Sequence, residues 1–449
     1  MLKRPVAAVR GLARRVDQQR FGPHAVLFAL ALVLRVAWVL KVDREGFVLN
    51  DAAIYNAQGV SINQGLGFRP IYGGVSAQWP PGYGVLLAGV YFVFGLHPVA
   101  GELTNAVFGA LTVVLLVVLV ERLFDRRTAA LAGLWLAVMP GPIMWTDMLV
   151  TETVFTFLFV ALFVLFAFGP RSPGTAALST RRQVLWLVAV GIVIGVGANV
   201  RGEAVTWGLL PIVYFWRAVP WRTLIARVAV IGVVAVACLT PWMIRNAVRM
   251  GALVPTGTNA SHTLWAGHNP AATGGQTYPP DEYFDQFTQT APERELESAA
   301  ALRRDAIEYA VNHPLNELKL IPLKLIYLNR GDSHAFAWIN AVPEGEAPPV
   351  PRVWVERLTV IADFAYYTLL ATTLAATAVL GRRLWRPPAM RVMAASFCTA
   401  LFLYGWMYYG NYRYRLPFEP LMITVSAVLV TRVWRSRGAL TNGARVNNS

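Results

Sequence analysis

Long apolar runs separated by short charged connectors set the pattern of this chain. Nine runs centre on 24–42, 103–120, 129–145, 151–168, 184–200, 224–243, 357–380, 392–409 and 417–433. Each comes close to the roughly 20 residues that a helix needs to cross about 30 Å of hydrocarbon. A shorter run, 204–216, sits tightly between two of them. Residues 82–96 are also apolar but only fifteen long, and they follow Pro80 and Pro81. That length suits a re-entrant or interfacial helix better than a crossing. The pattern predicts an all-α polytopic membrane protein with about 10 transmembrane helices, or 11 if 82–96 also crosses.

Composition agrees. Hydrophobic residues make up 56% and charged residues 14%, against roughly 25% charged in a soluble domain. So much apolar side chain needs the bilayer as its solvent. The net charge of +15 suggests nucleic acid at first sight, but the positions of the charges argue against it. Lys and Arg gather in short connectors: 3–20, 122–127, 171–182, 217–227, 382–391 and 432–445. Such clusters mark the cytoplasmic side of a membrane protein. With ten spans and both termini cytoplasmic, all six fall on one face, whereas an eleventh crossing at 82–96 would move the later ones across. The basic, then apolar N-terminus carries Arg35 and lacks a small-residue cleavage site, so it is expected to stay as the first span. Cys238 and Cys398 lie inside spans, where packing is their expected role.

This topology divides the chain into a cytoplasmic tail (1–23), a transmembrane module (24–244) that includes an outer loop at 43–102, an outer region (245–356), C-terminal spans (357–433) and a second tail (434–449). The outer region turns helical at roughly 291–312 and continues as an amphipathic stretch from Leu315 to Asn329. The cytoplasmic loops are short, so chemistry is expected where spans meet the outer loops.

Three groups of polar residues fall on that face. Asn50 is placed to cap a helix, with Asp51 in its first turn near the positive end of the dipole and the helix ending near Gly65. Asp51 is either a stabilising N-terminal acid or a functional one. Asp147 and Glu152 lie at the connector after the 129–145 run. Acids at the edge of hydrocarbon are expensive unless paired or functional, so these two orient an acceptor, hold a divalent metal or pair with a base. Arg201, Arg245, Arg413 and Arg415 form the third group, and guanidinium forks match phosphate oxygens. Arg35, inside the first span, either snorkels or pairs with a buried acid. No histidine spacing matches a zinc arrangement. The aromatics around Trp406, Tyr408, Tyr409, Tyr412 and Tyr414 read as an interfacial belt or an aromatic cleft.

The order of these elements resembles the C-type (GT-C), polyprenyl-phosphate-dependent glycosyltransferases. It is similar in particular to the bacterial branch that includes protein O-mannosyltransferases and the lipid A aminoarabinose transferase. The matching features are Asp51 with Tyr55, Gly65-Leu66-Gly67-Phe68, Pro80-Pro81-Gly82-Tyr83, Asp147 with Glu152, Arg201-Gly202-Glu203, Pro241-Trp242 with Arg245-Asn246, Gly267-His268-Asn269-Pro270 and Arg413-Tyr414-Arg415-Leu416-Pro417. The resemblance implies a multi-pass protein of the bacterial inner membrane with an extracytoplasmic site. It implies a sugar donor carried on a polyprenyl phosphate, and inverting transfer to a lipid, glycan or protein acceptor. Asp51 would be the general base, with Tyr55 and Tyr83 beside it and the arginines on the lipid phosphate. A divalent metal is possible, as some related transferases use one. Several relatives place a second acid next to the catalytic Asp, whereas Ala52 and Ala53 stand here, which leaves the acceptor open. A flippase of lipid-linked saccharides and an O-antigen ligase or polymerase are the rival readings.

Overall fold

A computed structural model describes residues 5–42, 51–69, 71, 73–170, 180–280, 292–342, 345 and 347–446, with side chains between 22 and 436. The expected cap Asn50 and parts of the two outer segments lie outside the described residues. Among those described there is no β-strand. Seven helical segments are long and apolar enough to cross a membrane: Gly22–Val42, Pro98–Leu123, Thr180–Val200, Trp221–Met250, Arg352–Leu384, Pro388–Met407 and Tyr412–Ser436. Each falls on an apolar run of the sequence.

The other three expected spans are helical but broken or short. The run at 129–145 divides into Arg126–Val138 and Pro140–Asp147, bent by 52°. Its elbow is Met139, held extended at ψ 123° because a residue before proline is pushed out of the helical region. Asp125 caps the first half by accepting from the Arg127 and Thr128 amides at 3.0 and 3.2 Å. The run at 151–168 forms a helix of 17 residues, Glu152–Phe168. The run at 204–216 becomes a 3-10 turn, Gly202–Leu209, followed by the short helix Leu210–Phe215. By length and apolarity alone, seven of the described helices qualify as crossings, or eight with the bent pair as one; the all-α multi-span class holds, and the expected count of about ten is not confirmed.

The broken 202–215 segment is packed, not loose. Glu152–Phe168 carries Phe155, Phe159 and Phe163 at four-residue spacing, which puts them on one side of the helix. Trp207 lies against Phe155 and Phe159 with ring centroids 4.7 and 5.0 Å apart, and Tyr214 meets Phe166 at 5.0 Å. This aromatic ridge fixes where the chain leaves Thr180–Val200, and so fixes Arg201.

Two further helices shape the site. Asp51–Asn63 is followed by Gly65, whose φ of 74° is the left-handed conformation that glycine adopts without strain. The helix rests on Gly82–Phe94, which spans 13 residues, and Tyr55 meets Tyr83 edge to face at 5.3 Å.

Candidate active site

The 3-10 turn Tyr412–Phe418 organises the centre of the molecule. Asn411 caps it, accepting from the Arg413 amide at 3.0 Å. From this turn Arg413 donates to Asp51 Oδ2 at 2.8 Å and to Glu152 Oε1 at 2.9 Å. The same Glu152 oxygen accepts from Arg201 at 2.9 Å, and Arg201 Nε donates to Glu203 at 2.7 Å. Tyr404 closes the line with a hydroxyl bond to Glu203 at 3.1 Å. Three acids thus alternate with two arginines, and each guanidinium bridges two carboxylates.

The chain is buried at its middle and open at one end. The Glu152 side chain is 1% exposed and that of Arg413 9%, whereas Asp51 is 34% exposed. Asp51 opens into a cavity of about 410 Å³ whose wall includes Arg201, Arg413, Glu203 and Tyr55. The remaining wall is largely aromatic and amide: Trp79, Gln78, Gln276, Tyr278, Trp338 and the tyrosines 404, 408, 409 and 414. Trp338 lies under the Arg413 guanidinium, 4.3 Å from its centre. Tyr414 donates to Tyr409 at 2.8 Å, and burial pushes the Tyr408 and Tyr409 phenols up to about 12. Both remain neutral at neutral pH. His262, also on the wall, is pushed down to about 4 by burial, with the Asp51 charge opposing. It too is neutral, so the arginines supply the positive charge.

Of the residues singled out from the sequence, Asp51, Tyr55, Arg201 and Arg413 line the cavity, and Glu152 sits behind it joining the two arginines. Asp147 is buried at the end of the Pro140–Asp147 segment, accepting from Trp38 Nε1 at 3.1 Å. Tyr83 is fully buried beneath Tyr55, bonded to Asn105. Arg245 donates to the Ser76 and Phe68 carbonyls at 2.7 and 3.0 Å and stacks on Trp242, which pins the outer loop. Arg415 points to the opposite side of its turn, onto Asp332 and the Tyr366 ring. None of these four lines the cavity.

Glu203 stands two residues after Arg201 and was legible as part of that motif, though without a role. The tyrosine wall follows the cleft reading of the aromatic cluster. Tyr278, Gln276, Trp338 and His262 carry no sequence signal, since they reach the cavity only through the fold. Among the described residues no group of three His, Cys, Asp or Glu side chains is placed to hold a metal. One oxygen of each acid, Asp51 Oδ2, Glu152 Oε1 and Glu203 Oε1, is engaged by a guanidinium group.

The helices make up an all-α polytopic membrane protein, and its fold is similar to that of the GT-C glycosyltransferases, the class that the motifs resemble. Residues 78–244 match the family described as dolichyl-phosphate-mannose-protein mannosyltransferase. The structure is similar to the oligosaccharyltransferase AglB of Archaeoglobus fulgidus in its apo form, with a TM-score of 0.55 and 15% identity over 94% of this chain and 52% of that one. AglB in complex with an inhibitory peptide and a dolichol-phosphate matches with a TM-score of 0.53 at 15% identity, over 95% of this chain and 52% of that chain. ArnT of Cupriavidus metallidurans bound to undecaprenyl phosphate matches at 17% identity over 91% of this chain and 78% of that one, with a TM-score of 0.46. This chain spans about half the length of the AglB chains. No curated protein sequence matches it.

Proposed function

We propose that the protein is an inverting membrane glycosyltransferase that moves a sugar from a polyprenyl-phosphate donor to an acceptor at the extracytoplasmic face. The observation that carries this reading is the Asp51 carboxylate, open to a cavity and held at 2.8 Å by an arginine. In the proposed step the acceptor hydroxyl attacks the anomeric carbon while the bond from that carbon to the phosphate oxygen breaks. The electron pair of that bond leaves with the lipid phosphate. The acceptor proton goes to Asp51, which must come within about 2.6–3.2 Å of the hydroxyl. Arg413 and Arg201 oppose the negative charge that builds on the leaving phosphate. Glu152 holds both in place, and the aromatic wall offers flat faces to a sugar ring.

The AglB complex with a dolichol-phosphate supports a lipid-phosphate donor. Charge supports the sidedness. The ion pair of Arg435 with Asp125 at 2.8 Å joins the ends of two helices whose other ends approach Arg413 and Asp147. The basic connectors at 122–127 and 432–435 therefore gather opposite the site. On the positive-inside rule this leaves the termini cytoplasmic and the site outside, in the cell membrane of a bacterium.

The test is transfer by the purified full-length protein, in detergent or nanodiscs, from a panel of radiolabelled polyprenyl-phosphate sugars to extracted envelope acceptors. Transfer by the native protein that Asp51→Asn abolishes without changing its melting temperature supports the enzyme. Unchanged transfer in that variant removes Asp51 from the mechanism.

A further inference from the structure

Behind the ion chain lies a second, much smaller cavity of about 30 Å³. Its wall includes Arg35, Glu152, Thr112, Thr153 and Thr156. Arg35 is the only charged residue along the apolar stretch 25–40 of the first span and is 0% exposed. Its terminal nitrogens donate to the carbonyls of Ala31, Ala137 and Leu136 at 3.1 to 3.3 Å. Its Nε has no partner among the described residues. Glu152 gives its Oε1 to both Arg413 and Arg201, and its Oε2 likewise has no partner among the described residues. A buried donor and a buried carboxylate oxygen, both unmatched among the described residues, thus belong to two side chains that line one small space.

Such groups are costly to bury without a hydrogen bond. The volume exceeds the roughly 10–15 Å³ that a single water needs, and a buried water needs two to four polar partners. Those partners are at hand. Thr112 and Thr156 spend their hydroxyl protons on the Phe108 and Glu152 carbonyls at 2.8 and 2.7 Å, which leaves their oxygens free to accept. Gly109 lets Arg35 lie close against its helix, because a Cβ there would sit 2.6 Å from Arg35 Nε.

We infer that this cavity is a buried water site joining Arg35 to Glu152, and that Arg35 is thereby a positioning residue for the Glu152–Arg413–Asp51 chain. Arg35 then supplies the third cation for the three acids of the chain, from behind and without touching substrate. The positioning role rests on the transferase reading above; the water site does not.

The test uses the full-length protein. Melting temperatures of Arg35→Met, Glu152→Gln and the double variant form a double-mutant cycle. If water couples the two groups, the double variant loses less than the sum of the single losses, by about 1–3 °C. An experimental structure shows ordered solvent between Nε and Oε2. If Arg35→Met does not fold, Thr112→Val takes its place in the cycle with the same expected non-additivity. Additive losses, or a dry cavity, overturn the water site. In transfer assays with the same donor panel, Arg35→Met lowers kcat by about 10- to 100-fold with KM unchanged; an unchanged kcat overturns the positioning role. Native protein inactive on every donor overturns the transferase reading and the positioning role with it, while the cycle still decides the water site.

Discussion

Arg413 and Arg415 leave the same 3-10 turn two residues apart and end in opposite kinds of environment. A 3-10 helix turns about 120° per residue, so neighbours at this spacing point to different sides. Arg413 joins a buried acid, Glu152, to an exposed one, Asp51, at a cavity wall. Arg415 meets Asp332 and Glu419, which are 2% and 0% exposed, and lies flat on the Tyr366 ring at 3.6 Å. The difference teaches what separates an ion pair open to a ligand, the working one in the proposed function, from one sealed into the structure. In the first, one partner keeps a face open to a ligand; in the second, every charge is consumed by burial.

The largest effect expected on the working side is from Asp51→Asn. It keeps the shape of the side chain and removes the proposed base, so kcat falls by about 10²–10⁴-fold in transfer assays while thermal melting stays close to native. The next separates the two arginines directly. Arg413→Met lowers kcat by about 10²–10³-fold, in line with loss of one group that stabilises developing charge. Arg415→Met instead costs stability, by about 3–5 kcal/mol, because it strands buried acids without their cation. Denaturation in detergent and kcat of the folded fraction measure the two outcomes. A stable but inactive Arg415→Met would break the comparison.

A smaller effect sharpens it. Adding Asp332→Asn to Arg415→Met removes one stranded charge, and the pair recovers part of the stability lost by the single variant. The smallest concerns the cavity wall and pH. His262 is pushed down to about 4 in the folded protein, whereas an unfolded imidazole titrates near 6.5. Between those values the unfolded chain holds a proton that folded His262 refuses. Stability contributed at neutral pH is therefore lost as pH falls from about 6.5 towards 4. Melting curves of His262→Gln against native protein across that range isolate the term, which the variant lacks.

Much of the fold was legible because crossing a bilayer is a property of a single segment. Seven of the apolar runs became full-length helices, and the helix after the first span, described over Asp51–Asn63, ends just before Gly65. The breaks were harder to read. Hydropathy sums side chains and is blind to backbone, so 129–145 scores as one run although Pro140 forces Met139 out of the helix. The 204–216 segment owes its broken form to the aromatic ridge it packs on, a contact with another part of the chain. The site divides in the same way. Motif and charge sidedness singled out Asp51, Glu152, Arg201 and Arg413, but they equally singled out Arg245 and Arg415.

By itself, then, the sequence determined the membrane class, the helical segments and a short roster of acids and arginines at the ends of spans. It did so because apolar length, caps and charge bias act within a few residues of one another. Only the tertiary structure decided which charges meet, since Arg413 finds Glu152 across 261 residues and Asp51 across 362. It also decided that Glu203 and a wall of tyrosines complete the cavity, and that Arg415 is sealed away from it. Ion pairs at such separations are set by how the helices pack, and no local pattern records that.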